Sequence, residues 1–259
     1  MRRLIVALCF LNQTVFAEWT SVGSLVAKAS GIAADPVSYT STATLEAGNV
    51  AVCAIASDND GNGTDTDDIV SVTFGSESMT SAGENEYDPG AAAAGAVVGI
   101  YFLKAVAQQN SGVTISVDMS ASRNAKAISC HEFTVDTTKN IQTTGTEQKE
   151  ELATDAASLI LGSLANAEHL WIRAIASETT NGAIGTPTAS YTAFTSSTTT
   201  TGTEATSMGI AAEFIIATAT THTSDPTMSD TSADRASSMI ALDEVTAFIP
   251  RKRQIIVTE

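Results

Sequence analysis

The residues best suited to chemistry lie in one acidic stretch, residues 58–68, where carboxylate and amide side chains alternate with small residues. Its start has the spacing of a calcium-binding loop, in which hard oxygen ligands wrap one cation and a glycine, here Gly63, permits the sharp turn. The predicted calcium ligands are Asp58, Asp60, Asn62 and Asp65. Ile69 replaces the bidentate glutamate of a complete EF-hand. A solvated acidic hairpin tip without an ion is the competing interpretation.

Catalytic motifs are missing from the sequence. The three histidines, His131, His169 and His222, are far apart, and none stands in a zinc-binding spacing such as HExxH. No GxSxG nucleophile motif and no glycine-rich phosphate-binding loop occurs. A hydrolase would need a pair of carboxylates that nothing in the sequence singles out. We therefore expect a binding or structural protein and not an enzyme.

The charge balance restricts the partners and the composition restricts the fold. Twenty-nine acidic residues against 13 Lys and Arg give a formal net charge of −16, so binding to nucleic acid phosphates is not expected. Charged residues make up only 16% of the chain, while Thr, Ser and Ala are abundant. Hydroxyl-bearing surfaces of this kind suit the exposed faces of antiparallel sheets, where threonine is favoured. The composition therefore predicts an all-β protein.

An internal repeat predicts how the strands are organised. Three strand-length segments recur in the same order in both halves of the chain. The matched pairs are 50–58 with 170–178, 98–100 with 208–210 and, with small gaps, 123–135 with 235–245. Two similar domains in tandem would explain this repeat, but the few apolar residues in each half favour one shared core. We expect a jelly-roll-like antiparallel two-sheet sandwich over residues 20–246, with pseudo-symmetric halves at about 20–140 and 157–246.

The repeat also predicts which side chains face the core. Alternation places Val50 and Val52 on one face of their strand, and Cys53, which aligns with Arg173, on the opposite, outward face. The later strand aligns Cys130 with Leu242 on the inward face. Two cysteines on opposite faces cannot be bridged, so the sequence predicts two unpaired thiols.

Both ends of the chain differ from the repeat. Residues 1–19 form either a secretory signal or an N-terminal arm, since two arginines precede an apolar run at 4–11 and a small-residue cleavage site at 15–17. That run is too short to span a membrane. Residues 247–259 combine three basic residues with an apolar end. They form either a docking arm that adds a strand to a neighbouring subunit, or an edge strand of the same domain.

The pattern of strands and turns resembles a group of bacteriophage virion β-sandwich proteins. The segments that carry the resemblance are 48–52 (GNVAV), 70–75 (VSVTFG) and 99–105 (GIYFLKA), and the second half repeats the scheme. The resemblance implies a non-enzymatic virion structural protein, either a head decoration or a tail or fibre component. Its implied partners are further copies of the chain and other virion proteins, and its implied location is the virion.

The signal-like start supports a different interpretation. If residues 1–17 are cleaved, the protein is a secreted or cell-surface carbohydrate-binding or adhesin sandwich, and a surface glycan is its partner. Aromatic residues, on which sugars stack, make up only 5% of the chain.

Overall fold

The computed structural model describes residues 19–31, 34–58, 68–89, 95–151, 158–199, 207–230 and 233–246. The all-β prediction is confirmed, because the regular structure in these ranges consists of strands that pair antiparallel. No helix in this part of the chain is long and apolar enough to cross a membrane. Of the two terminal segments, 1–19 and 247–259, the structure describes only Trp19.

The first half of the chain builds two sheets, which we call the first inner sheet and the first outer sheet. The strands of this half are β1 (Thr20–Ser30), β2 (Val37–Thr40), β3 (Val50–Asp58), β4 (Ile69–Phe74), β5 (Glu77–Ser78), β6 (Thr80–Tyr87), β7 (Ala96–Lys104), β8 (Thr114–Met119) and β9 (Lys126–Thr134). The inner sheet has the order β1-β9-β3-β7-β6, and the outer sheet has the order β2-β8-β4-β5.

The second half builds a second inner sheet and two small outer pairs of strands. Its strands are β10 (Lys139–Glu151), β11 (Leu159–Leu161), β12 (Ala167–Ser177), β13 (Ile184–Thr186), β14 (Thr192–Ala193), β15 (Ser197–Thr198), β16 (Gly209–Ala219), β17 (His222–Ser224), β18 (Thr227–Met228) and β19 (Arg235–Thr246). The inner sheet has the order β10-β19-β12-β16-β14, and β15 also pairs with β16. The outer pairs are β11-β17 and β13-β18.

The two inner sheets face each other across one apolar core. Val50, Val52 and Ala54 on β3 lie in the same buried cluster as Leu170 and Ile172 on β12. The opposite faces of the inner sheets are also covered, the first by the outer sheet and the second by the outer strand pairs. Every residue of β3 is buried for this reason. In sequence, a strand buried on both faces is a continuous apolar run and lacks the alternation of apolar and polar residues found in a half-exposed strand.

The strand orders of the two halves correspond. The order β1-β9-β3-β7 has its counterpart in β10-β19-β12-β16, and β11-β17 and β13-β18 take the places of β2-β8 and β4-β8. One backbone hydrogen bond also recurs, from Asp58 N to Ala125 O at 3.0 Å and from Glu178 N to Asp234 O at 2.9 Å. The jelly-roll assignment and the pseudo-symmetry remain predictions, and these correspondences favour the pseudo-symmetry.

The prediction of two unpaired thiols is wrong, because Cys53 and Cys130 form a disulfide between β3 and β9. The two cysteines lie directly opposite each other where β3 pairs with β9. In the second half, Arg173 on β12 lies opposite Met239 on β19. Cys130 therefore corresponds to Met239 and not to Leu242, which the gapped alignment had matched to it. The difference is an odd number of residues, so it moves every side chain of the strand to the other face.

Candidate functional site

Most of the predicted calcium loop lies outside the described residues. Asp58 ends β3 and is buried, whereas Asp60, Asn62 and Asp65 fall in the stretch 59–67 that the structure does not describe. Within the described ranges, no group of three or more His, Cys, Asp or Glu side chains is arranged to hold a metal. The calcium site therefore stays a prediction.

The residue that follows this stretch, Asp68, is anchored by buried polar contacts. It forms an ion pair with Arg123, and both side chains are almost completely buried. Asp68 Oδ1 also accepts a hydrogen bond of 2.9 Å from Ser120 Oγ. The nearby Lys126 donates to the carbonyl oxygens of Ala34 and Arg123 at 2.8 and 2.6 Å, and burial lowers the pKa of this lysine. Asp68, the first described residue after the gap at 59–67, is therefore held in place by charged and polar side chains.

Next to Asp68 lies a groove of about 470 Å³, which we call the Glu84 groove; it is lined by residues of β4 to β7. Its exposed lining includes the hydroxyls of Ser71, Ser78 and Ser81, and its buried lining includes the apolar side chains of Val72 and Met79. The volume is within the range of ordinary ligand sites. The groove therefore presents polar groups and the exposed side chain of Val70, while Val72 and Met79 belong to the core beneath it.

Glu84 is the carboxylic acid in the lining, and it accepts hydrogen bonds that favour its ionised form. Its Oε1 accepts from Ile69 N at 3.1 Å, and its Oε2 lies 3.2 Å from the hydroxyl of Tyr101. That hydroxyl carries a single proton and lies 2.8 Å from the carbonyl oxygen of Ile69, which can only accept. The Tyr101 hydroxyl therefore donates its proton either to the carbonyl oxygen of Ile69 or to Oε2 of Glu84.

The burial of Glu84 outweighs the effect of these hydrogen bonds. Burial, with a smaller contribution from the negative charge of Asp68, raises the pKa of Glu84 to about 7 against the lowering effect of the hydrogen bonds from Ile69, Tyr101 and the Asp68 backbone. Near neutral pH the side chain therefore exchanges between a carboxylic acid, which donates a hydrogen bond, and a carboxylate, which attracts a cation.

Glu84 could not be recognised from the sequence because it belongs to a polar strand without a motif. The strand partner of Glu84 is Gly99, and a Cβ atom at that glycine would lie 2.6 Å from Ile69 Cδ1 and 2.9 Å from Tyr101 Cε2. The absence of a side chain at Gly99 thus lets Ile69 and Tyr101 close over the strand beside Glu84. A glycine inside a strand of large apolar residues was the available signal.

His131 is a core residue and does not belong to this groove. Its ring lies against the rings of Phe133, Phe194 and Phe214, with a stacked contact of 4.9 Å to Phe194. Its Nε2 is 2.7 Å from Ser21 Oγ. Burial lowers the pKa of His131 to about 4, so this histidine is neutral at physiological pH.

The other two histidines flank one tryptophan under the outer strand pairs. Trp171 lies 5.2 Å from the ring of His169 and 5.1 Å from the ring of His222. Both ring nitrogens of His169 are engaged, Nδ1 with Asp243 and Nε2 with Ala165 O at 2.9 Å. The contacts of His169 therefore serve packing, since neither ring nitrogen is available to take a proton from a ligand.

The second inner sheet has a buried polar network at the position of the disulfide. Arg173 on β12, which corresponds to Cys53, donates to Ser224 O at 3.0 Å and to Ser237 Oγ at 3.2 Å. Its cross-strand neighbour Glu213 accepts from Thr188 N at 2.8 Å. Glu213 also accepts from the hydroxyls of Thr188 and Ser224, each at 2.6 Å. This network ties the strand β17 to the inner sheet.

Comparison with known proteins assigns no family to the chain. No protein-family model matches it, and neither curated proteins nor solved structures provide a match.

Proposed function

We propose that the chain is a non-enzymatic structural protein of a virion, a head decoration or a tail or fibre component, which assembles with further copies of itself and with other virion proteins. The observation that carries the proposal is the face-to-face packing of two inner sheets that are each covered on their other side. Because these sheets meet each other inside the molecule, its outer surfaces are left for contacts between subunits.

A disulfide, an ion pair and hydrogen bonds that join buried parts of the fold support this role. Cys53 and Cys130 are bridged on the first inner sheet, Arg123 and Asp68 form a buried ion pair beside the first outer sheet, and Glu213 fixes an outer strand of the second half. Symmetric assemblies repeat the same contact in every subunit, so subunits of fixed shape suit them. The disulfide also fits an oxidising environment, in which virion surfaces and secreted proteins are found.

The net charge of −16 suggests what the partner surfaces are like. A subunit of this charge repels its own copies at long range and is attracted to basic surfaces. We therefore propose that its contacts with other virion proteins involve Lys and Arg on the partner. Such contacts weaken as salt screens the charges.

Fractionation of a culture that expresses the chain tests the proposal. Antibodies raised against the purified protein are used to probe particles banded in a density gradient, the cell envelope and the clarified medium. The proposal expects the chain in the particle band, and immunogold labelling should place it at a fixed location on each particle. Recovery only in the medium or on the cell envelope would overturn it.

The second candidate is a secreted or cell-surface carbohydrate-binding or adhesin protein. It is favoured by one observation, the Glu84 groove, where three exposed serine hydroxyls stand beside a carboxyl group that can donate or accept. A glycan array probed with the purified chain tests it. Binding of neutral glycans that is lost in a Ser71→Ala/Ser81→Ala variant would support this candidate, whereas an array without signal would count against it.

A further inference from the structure

We infer that residues 192–199, which we call the strap, are held against the first inner sheet by the neutral ring of His131 and open when that ring takes up a proton. The strap contains the short strands β14 and β15. This behaviour is a property of the fold and goes beyond the proposed function, because it does not depend on where the chain is found.

The strap lies along β16 and is joined to β9 across the gap between the two inner sheets. Phe194 N donates to Ala212 O at 2.8 Å, which fixes the strap on β16. From β9, Ser129 Oγ donates to Thr195 O at 2.7 Å, and the ring of His131 stacks on the buried ring of Phe194 at 4.9 Å. Ser129 and His131 are two residues apart on one strand, so both side chains point towards the strap.

The hydrogen bonds of His131 suit a neutral ring and not a charged one. Its Nε2 lies 2.7 Å from Ser21 Oγ, whereas its Nδ1 is buried and has no hydrogen-bond partner among the residues that the structure describes. A neutral imidazole with its proton on Nε2 donates to Ser21 and leaves no N–H unpaired, but an imidazolium carries a second N–H. That donor would point into a cluster of phenyl rings without an acceptor. Protonation therefore favours a state in which water reaches Nδ1.

The titratable groups on the strands around His131 lie on the opposite face of their strand, at its far end, or in contact with another residue. Glu132 accepts from Asn49 Nδ2 at 2.7 Å, and Glu213 accepts from Thr188 N at 2.8 Å. The remaining groups, on β1, β3, β9 and β12, are Lys28, Asp58, Lys126 and Glu168, the last of which accepts from Trp19 N at 3.0 Å. Burial is accordingly the cause that lowers the pKa of His131 to about 4.

The strap is the element of this cluster that opens most easily. The rings of His131, Phe133 and Phe214 belong to β9 and β16, which pair with neighbouring strands along most of their length. In contrast, β14 and β15 pair with β16 over two residues each. Segments with few backbone hydrogen bonds open at a lower free energy than core strands do. Opening would lift Phe194 from His131 and uncover the edge of β16.

Hydrogen exchange of the purified chain, followed by mass spectrometry at pH 7 and pH 5, tests the inference. After correction for the effect of pH on chemical exchange, the strap amides should lose protection by about twentyfold, because opening returns the pKa of His131 from about 4 to its ordinary 6.5. The closed strap is thus most stable above pH 6.5 and loses stability as pH falls towards 4. Peptides from β3 and β12 should keep their protection.

Three variants separate His131 from other causes. His131→Phe keeps an aromatic ring beside Phe194 and leaves Ser21, which is exposed, to bond with water, so the strap should be equally protected at pH 7 and pH 5. Phe194→Ala should exchange rapidly at both values. His222→Gln is the control, because His222 Nδ1 lies 3.3 Å from the hydroxyl of Tyr191, just before the strap. It should respond to pH as the wild type does.

Loss of protection in acid that is confined to the strap and absent in His131→Phe supports the inference. Equal corrected protection of the wild-type strap at both pH values, an acid response that persists in His131→Phe, or an equal loss in β3 and β12 overturns it. The wild-type measurements alone decide the first and the last of these results, even where a variant does not fold.

Discussion

Glu84 Oε2 lies 3.2 Å from the hydroxyl of Tyr101, whose single proton has a closer acceptor, the carbonyl oxygen of Ile69 at 2.8 Å. This contact joins the edge strand β6 to its neighbour β7 and to the start of β4 in the outer sheet. The layers of the first half are thus connected through a group that ionises near neutral pH.

The first prediction concerns pH. Burial raises the pKa of Glu84 from 4.5 to about 7, so between these values the folded protein keeps a proton that the unfolded chain releases. The free energy of unfolding should therefore fall as pH rises from 4.5 to 7, by on the order of 2–3 kcal/mol from Glu84. Glu84→Gln should lack this loss and be more stable than the wild type at pH 8. Urea unfolding at a series of pH values measures it.

Wild type and Glu84→Gln must be compared because the pKa shift of His131 changes the free energy of unfolding with pH in the opposite direction. The pKa of His131 is lowered to about 4, so its contribution to stability is present above the ordinary value of 6.5 and is lost as pH falls. Wild type and Glu84→Gln share His131, and their difference isolates Glu84. Parallel stability curves for the two proteins would show that Glu84 keeps an ordinary pKa.

The second prediction concerns the close packing beside Glu84. Gly99→Ala should destabilise the protein by about 1–3 kcal/mol, because the new methyl group would overlap Ile69 and Tyr101. Gly185→Ala is the matched control, since its Cβ would meet its nearest atom, Thr227 O, at 3.4 Å. Thermal and urea unfolding compare the two variants. Equal stability of both would mean that β4 does not close over β7 as described.

The third prediction concerns the disulfide. Cys53 and Cys130 are 77 residues apart in sequence, so the bridge restricts the unfolded chain strongly. The double variant Cys53→Ala/Cys130→Ala should lose about 2–4 kcal/mol of stability, measured by urea unfolding.

Alkylation of the denatured protein followed by peptide mass mapping tests the pairing itself. Without reductant, neither Cys53 nor Cys130 should be modified, and after reduction both should be. Modification of both residues in the unreduced protein would restore the prediction of free thiols.

The fourth prediction concerns the buried network of the second half. Arg173→Met should cost about 3–5 kcal/mol, because it leaves polar partners and the neighbouring Glu213 in a buried site without the guanidinium. Glu213→Gln should also destabilise, and the double variant should lose less than the sum of the two single losses. A double-mutant cycle by chemical unfolding measures this coupling. Strictly additive losses would show that the two side chains stabilise the fold independently.

The sequence predicted the strands better than their register. Long runs such as the one around Val52 and Ile172 are typical of buried strands, and both are strands in the structure. The register of β9 against its repeat was wrong because the gapped alignment matched Arg123 to Arg235. In the structure, Lys126 and Arg235 lie opposite the corresponding residues Ser57 and Ser177, so the two strands correspond without a gap.

The candidate site depends on contacts between different strands, so no local sequence pattern predicts it. Glu84, Tyr101 and Ile69 come from three strands, and the register of β6 shifts between Ser81 and Gly83, just before Glu84. A bulge of this kind changes which face the following side chains occupy. The predicted calcium ligands Asp60, Asn62 and Asp65 remain a separate hypothesis about residues that the structure does not describe.

The proposed role as a structural component of a virion is tested most sharply by the absolute quantity of the chain in purified particles. Mass spectrometry with isotope-labelled peptides gives the copy number of the chain relative to the most abundant particle protein across a density gradient. We expect a constant ratio of many copies per particle through the particle peak, unchanged by further purification. A ratio that falls towards zero as the particles are purified would contradict it.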